Sequence, residues 1–265
     1  MLMNSLYYET HVKKDCKEWL LLVHGAGGST RTWKRQIKDL GASYNLLVVE
    51  LPGHGNNKNH DLGLTDYSFE IVANKIWEIV DYLNIQSIHL VGISLGAIVC
   101  LQMRILRPHH VSSVILPGAI IRLSAKLRIL ARVSLAFAKI IGYRNFYNLS
   151  AYIMMPRGNH KQSRDIFIKE SKALTTAEFK KWTYLYFDLN KKLHQLYHAK
   201  STIPHLIVMG SQDHLFKSHA EAYSEFHDNA QFLAIQNCGH VVSIEKASEF
   251  NQICLEFLKS NFRQA

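Results

Sequence analysis

Disulfide chemistry has little to work with in this chain. Its four cysteines (Cys16, Cys100, Cys238, Cys254) form no Cys-x-x-Cys pair and are too few to staple a scaffold, so reduced thiols and no structural zinc are expected. A membrane span is missing too. The longest apolar stretch, Leu123 to Ile141, is broken by Lys126, Arg128, Arg132 and Lys139, which are costly in a bilayer but suit a helix with one wet face. Met1 to Cys16 has no apolar run and carries Glu9, Lys13, Lys14 and Asp15, so it does not read as a secretory signal and a cytoplasmic protein is expected. No repeat, low-complexity tract or Pro/Gly/Ser-rich linker divides the 265 residues, which suffice for one substantial core with an insertion.

Acidic residues are scarce in one region. Between Gly118 and Lys200 stand sixteen basic and four acidic side chains, so this segment carries +12 of a total of +10 and leaves the remainder at −2. A nearly neutral body wears a basic insert. A field of one sign concentrates anionic ligands or an acidic carrier protein, whereas a merely solvated helical surface does neither. The basic residues follow no nucleic-acid-binding motif, so no nucleic acid is expected as partner.

What is present is an alternation. Trp19 to Val23, Asn45 to Leu51, Ile88 to Val91, Val111 to Leu116, His205 to Met209 and Gln231 to Ile235 are short, branched, apolar runs bounded by turn residues, and read as buried strands. Helical segments at Thr32 to Leu40, Asp66 to Leu83 (Asp66 as N-cap), Leu95 to Leu106, Ser218 to His227 and Glu245 to Phe257 separate or follow them. Strand and helix in turn imply an α/β fold, a mostly parallel sheet covered on both faces. The rhythm stops after Leu116 and resumes at His205. Between them the helical period of Leu123, Leu127, Leu130, Ser134, Phe137 and Ile141 predicts a helical cap, residues 118–200, inserted in a core of 1–117 and 201–265.

Gly92-Ile93-Ser94-Leu95-Gly96 lies between a strand and a helix, the setting in which Gly-x-Ser-x-Gly presents an exposed serine on a sharp turn. The helix N-terminus there leaves the Leu95 N–H free for a developing oxyanion. Near neutral pH a serine needs a base, usually a histidine oriented by a carboxylate. In an open parallel sheet such residues sit on loops after strands. Asp213 follows His205 to Met209, and His240 follows Gln231 to Ile235; His214 and His219 are the rival bases. His24-Gly25-Ala26-Gly27-Gly28 follows Trp19 to Val23 and offers Ala26 N–H as second oxyanion donor, with Gly25 and Gly27 beside the substrate. These glycines match neither a dinucleotide fingerprint nor a P-loop. The chemistry calls for no cofactor and no metal. Cys238, two residues before His240, reads as a small buried thiol.

Together, His24-Gly25, Glu50-Leu51-Pro52-Gly53-His54-Gly55, Gly92-Ile93-Ser94-Leu95-Gly96, Gly210-Ser211-Gln212-Asp213 and Cys238-Gly239-His240 resemble the α/β-hydrolase superfamily, in particular its cap-bearing bacterial members, over nearly the whole chain. Glu50 departs mildly from the Asp usual there. The resemblance implies that Ser94 attacks, His240 relays the proton, Asp213 holds His240, and Ala26 with Leu95 binds the oxyanion.

Serine at the elbow argues against the relatives that use Asp there, the epoxide hydrolases and haloalkane dehalogenases, and Val241 in place of Trp after the histidine lowers carbon–carbon bond hydrolysis. Hydrolysis of a small-molecule carboxylic ester through an acyl-enzyme is the first reading. Three alternatives stand beside it: an anionic substrate as in menaquinone-pathway lyases, a carrier-linked one as in pimeloyl-carrier-protein methyl esterases, or a non-catalytic ligand-binding protein on the same fold.

Overall fold

The computed structural model describes residues 5–58, 60 and 62–262, without the side chains of 136, 137, 139, 261 and 262. Phe137, expected on the cap's apolar stripe, and Met1 to Asn4 of the N-terminal segment therefore lie outside the description.

Seven strands form one sheet in the order β1-β3-β2-β4-β5-β6-β7. They are β1 (Tyr8–His11), β2 (Trp19–Val23), β3 (Asn45–Val49), β4 (Ile88–Gly92), β5 (Val111–Pro117), β6 (His205–Gly210) and β7 (Ala230–Ile235). All pairs are parallel except β1 with β3. Side chains alternate across a strand. Leu21, Val23, Leu47, Val49, Ile207 and Met209 thus join one apolar core, and Leu20, Leu22, Leu46, Val48, Leu206 and Val208 the other. This two-sided burial is why the inner strands read as unbroken apolar runs. β1 was not expected, and it lies at a sheet edge with only partly buried residues and one exposed one.

Helices α1 (Lys34–Gly41), α2 (Phe69–Tyr82) and α3 (Leu95–Leu106) cover the first half. The start of α2 differs from expectation: the cap is Ser68, whose Oγ accepts the Ile71 N–H at 3.0 Å, and not Asp66. Between β5 and β6 run α4 (Ala125–Ile141), α5 (Tyr143–Met154), α6 (Lys161–Ser171) and α7 (Thr176–His198), the helical cap. α8 (Lys217–Phe226), α9 (Val242–Glu245) and α10 (Ala247–Phe262) complete the chain.

α7 belongs to two places. Leu193 and Leu196 near its C-terminal end are buried in the core, while Trp182 near its start donates its indole N–H to Pro52 O at 3.0 Å. Leu130 of α4, expected on the inward stripe, is exposed instead. Among the described residues no helix is long and apolar enough to cross a membrane.

Candidate active site

β4 ends at Gly92, and the chain turns at Ser94 with φ 55° and ψ −113° before α3 begins at Leu95. Non-glycine residues adopt this region at a cost, and surrounding packing must hold them there. Here it does so by close approach. A Cβ on Gly92 would lie 2.3 Å from Gly96 O, and one on Gly96 would lie 2.3 Å from Val23 O, so glycine at both positions is what allows strand and helix to cross so tightly.

The parallel register brings the loops after β6 and β7 to the same end of the sheet as this turn. His240 Nε2 lies 3.1 Å from Ser94 Oγ, and His240 Nδ1 lies 2.7 Å from Asp213 Oδ2. His240 and Asp213 are 2% and 3% exposed, so water competes little for these bonds. Burial pushes the Asp213 carboxyl up, but His240 and the N–H groups of Phe216 and Leu215 outweigh it and hold the carboxyl below its usual range. The rivals are elsewhere: His214 is exposed, and neither it nor His219 bonds to Ser94.

The glycine loop after β2 stands across the cavity. Among the described residues no acceptor takes the N–H of Ala26 or of Leu95, and both residues line the cavity with Ser94, Gly25 and Gly27. Two buried histidines shape that loop. His24 donates from Nδ1 to Gly25 O and accepts the Leu51 N–H at Nε2, 3.0 Å. His54 donates from Nδ1 to Pro52 O and accepts the Gly27 N–H at Nε2, 3.0 Å. Burial lowers their pKa to about 3 and about 4, so both rings are neutral and can accept. Glu50, the departure from Asp noted above, is buried and accepts the N–H and the hydroxyl of Thr30, each at 3.1 Å.

Sequence reasoning missed the ties between cap and catalytic-end loops. Glu245 accepts the Gly239 N–H and the Ser163 hydroxyl of α6, both at 2.7 Å. His160 Nε2 donates to Gln212 Oε1 at 2.8 Å, and Asn159 donates to the same oxygen at 2.9 Å. One turn of the cap thus holds Gln212, immediately before Asp213, directly, and Gly239, immediately before His240, through Glu245. Cys238 is buried, and its thiol is pushed up by burial and then by Glu245, which keeps it protonated.

Cap and core enclose a cavity of about 330 Å³. Its walls are apolar, among them Ile98, Leu135, Phe146, Phe179 and Leu189. Among the described residues no Lys or Arg lines it; its one carboxylate, Glu170, accepts the Ser29 hydroxyl at 2.6 Å.

Comparison with known proteins agrees with this fold. The chain is 25% identical over 260 residues to the dihydrolipoyllysine-residue acetyltransferase component of the acetoin cleaving system of Pseudomonas putida, covering 91% of this chain and 64% of that protein. It thus spans somewhat less than two thirds of that relative. It is 23% identical over 275 aligned positions to the uncharacterized carboxylesterase nap of Bacillus subtilis, covering 97% of this chain and 86% of that one. The esterase EaEST from Exiguobacterium antarcticum superposes with a TM-score of 0.80 at 16% identity, covering 96% of this chain and 95% of the other, a likeness of fold. The description "alpha/beta hydrolase fold" matches residues 18–247, most of the length and every strand but the antiparallel edge, and this chain accordingly belongs to the α/β-hydrolase fold family.

Proposed function

We propose that the protein is a serine hydrolase that cleaves carboxylic esters of uncharged, apolar acyl groups through an acyl-enzyme. The observation that carries this reading is the unbroken chain from Ser94 Oγ through His240 to Asp213, at 3.1 and 2.7 Å, at the floor of an apolar cavity.

Ser94 Oγ attacks the ester carbonyl as His240 Nε2 takes its proton, and Asp213 holds the ring by accepting from Nδ1 and stabilises the imidazolium that forms. The negative charge on the carbonyl oxygen is met by the N–H groups of Ala26 and Leu95. Collapse of the tetrahedral intermediate expels the alcohol, which takes the proton from His240. A water, deprotonated by the same nitrogen, then releases the acid and restores Ser94. Residues 118–200 act as the cap that sets substrate choice, with 1–117 and 201–265 as the core. A small-molecule substrate without charge fits a lining free of Lys and Arg; a charged acyl group would lose its hydration there without a partner. An anionic or carrier-linked acyl group has no such support inside the cavity.

The test is labelling with a fluorophosphonate, site mapping by mass spectrometry, and rates on p-nitrophenyl esters. Modification at Ser94 with turnover of neutral esters is the expected result. Absence of both labelling and turnover would replace the enzyme with a ligand-binding protein.

A further inference from the structure

The outside of the cap poses a problem that the active site does not answer. α4 is apolar on two opposite faces: Ala131 and Leu135 line the cavity, while Ile129, Val133 and Ile140 point to solvent at 64%, 52% and 80% exposure. Positions separated by four and by eleven residues fall on one stripe of a helix, so these three share one aliphatic stripe. Beside the stripe Lys126 and Arg132 are exposed, and α4 contains no acidic residue.

α7 continues the pattern. Tyr184 and Phe187 are 69% and 71% exposed with rings 6.4 Å apart, and Lys180 and Lys191 stand on the same helical face. The two helices are neighbours, because Tyr186 of α7 donates its hydroxyl to Arg128 O of α4 at 2.8 Å.

The four acids of the cap offset only part of this charge. Glu170 faces the core through Ser29, Glu178 bonds Tyr67 and Lys181, and Asp165 pairs with Lys161 at 2.7 Å, while Asp188, exposed one helical turn after Tyr184, offsets one of the α7 lysines. The outer surface is therefore basic and greasy together.

We propose that the outward faces of α4 and α7 dock the protein on an anionic lipid surface. A basic helix with a separate apolar stripe lies in the plane of a bilayer, its aliphatic side chains among the acyl chains and its cations at the headgroups. Exposed aromatic rings flanked by lysines suit the interfacial zone. An acidic soluble protein would satisfy the charges but would leave the stripe of Ile129, Val133 and Ile140 without an apolar phase. The same helix would then have lipid on one side and the cavity on the other. Binding is readable without turnover, so this inference stands or falls separately from the esterase reading.

The experiment is co-sedimentation of the full chain with phosphatidylcholine vesicles, with and without roughly one third phosphatidylglycerol, at low and high salt. Partition at least about tenfold stronger onto the anionic vesicles, lost in high salt, is expected. Joint Lys126→Gln and Arg132→Gln should weaken it about tenfold or more. Joint Ile129→Ser, Val133→Ser and Ile140→Ser should do the same while leaving turnover of a short water-soluble ester unchanged, and Ser94→Ala should bind as the wild type does. No partition onto anionic vesicles at low salt would overturn the proposal. So would partition that ignores the serine substitutions, which would mean charge alone at work and point to an acidic protein.

Discussion

The Glu245 carboxylate accepts the Gly239 N–H at 2.7 Å, one residue before His240, while its other oxygen holds Ser163 of the cap. A carboxylate buried between these donors fixes the loop that carries His240 and fixes it relative to the cap. Glu245→Ala leaves the Gly239 N–H without an acceptor, at about 1–3 kcal/mol. Steady-state kinetics should show kcat falling about tenfold or more with KM little changed, and a smaller fall in Ser163→Ala. A change confined to KM would reduce the network to a cap fastener.

Ser94→Ala should lower kcat by about 10⁴-fold or more with a melting curve close to wild type, since the side chain rests at the cavity floor and not in the core. Asp213→Asn should cost about 10⁴-fold in kcat by misorienting His240. Near-normal rates in either variant would move the chemistry elsewhere.

Acyl length should be read in kcat/KM. Each added methylene buried in the apolar cavity is worth about 0.8 kcal/mol, roughly fourfold, until the space of about 330 Å³ is filled. A terminal carboxylate on the acyl chain should cost tenfold or more. A preference for the anionic esters would show that cap cations reach the substrate.

Acid should unfold this protein readily. Burial lowers His24 and His205 to about 3 and His54 and His89 to about 4, with further lowering of His24 by His54 and of His205 by Arg104. These rings are neutral in the fold and titrate near 6.5 when unfolded, so the unfolded chain binds more protons below that pH. Their stabilisation is complete above about pH 6.5 and is lost as pH falls toward 4 for His54 and His89 and toward 3 for His24 and His205, on the order of 3 kcal/mol or more for each ring. Asp213, held below its usual range, acts in the same direction at lower pH. Melting temperatures should drop steeply from pH 6.5 to 4.5; an unchanged value would mean that the rings are hydrated.

Much of this site was legible because its chemistry tolerates few substitutes. A serine flanked by glycines between strand and helix, and Asp213 and His240 after later strands, could be picked out by position alone. β1 escaped because an edge strand with partial burial lacks an apolar run. Asp66 and Ser68 are both good N-caps; which one serves depends on which oxygen reaches the third amide of the helix. The Glu245 network escaped for another reason: Ser163 and Glu245 are 82 residues apart, and nothing local marks them as partners. The charge of the cap was countable, but its direction was not, since that depends on how each helix is rotated about its axis.

The seating of α7 dictates how the cavity can open. This 23-residue helix, about 34 Å long, roofs the cavity with Trp182 and Leu189 and plants Leu193 and Leu196 in the core. It behaves as a beam pinned near both ends: swinging it would break the Trp182–Pro52 bond near its start or unseat those leucines near its end. Between α4 and α5, by contrast, Gly142 stands at φ 79° with nothing near the place of a Cβ, so side-chain packing does not resist a bend of the chain there.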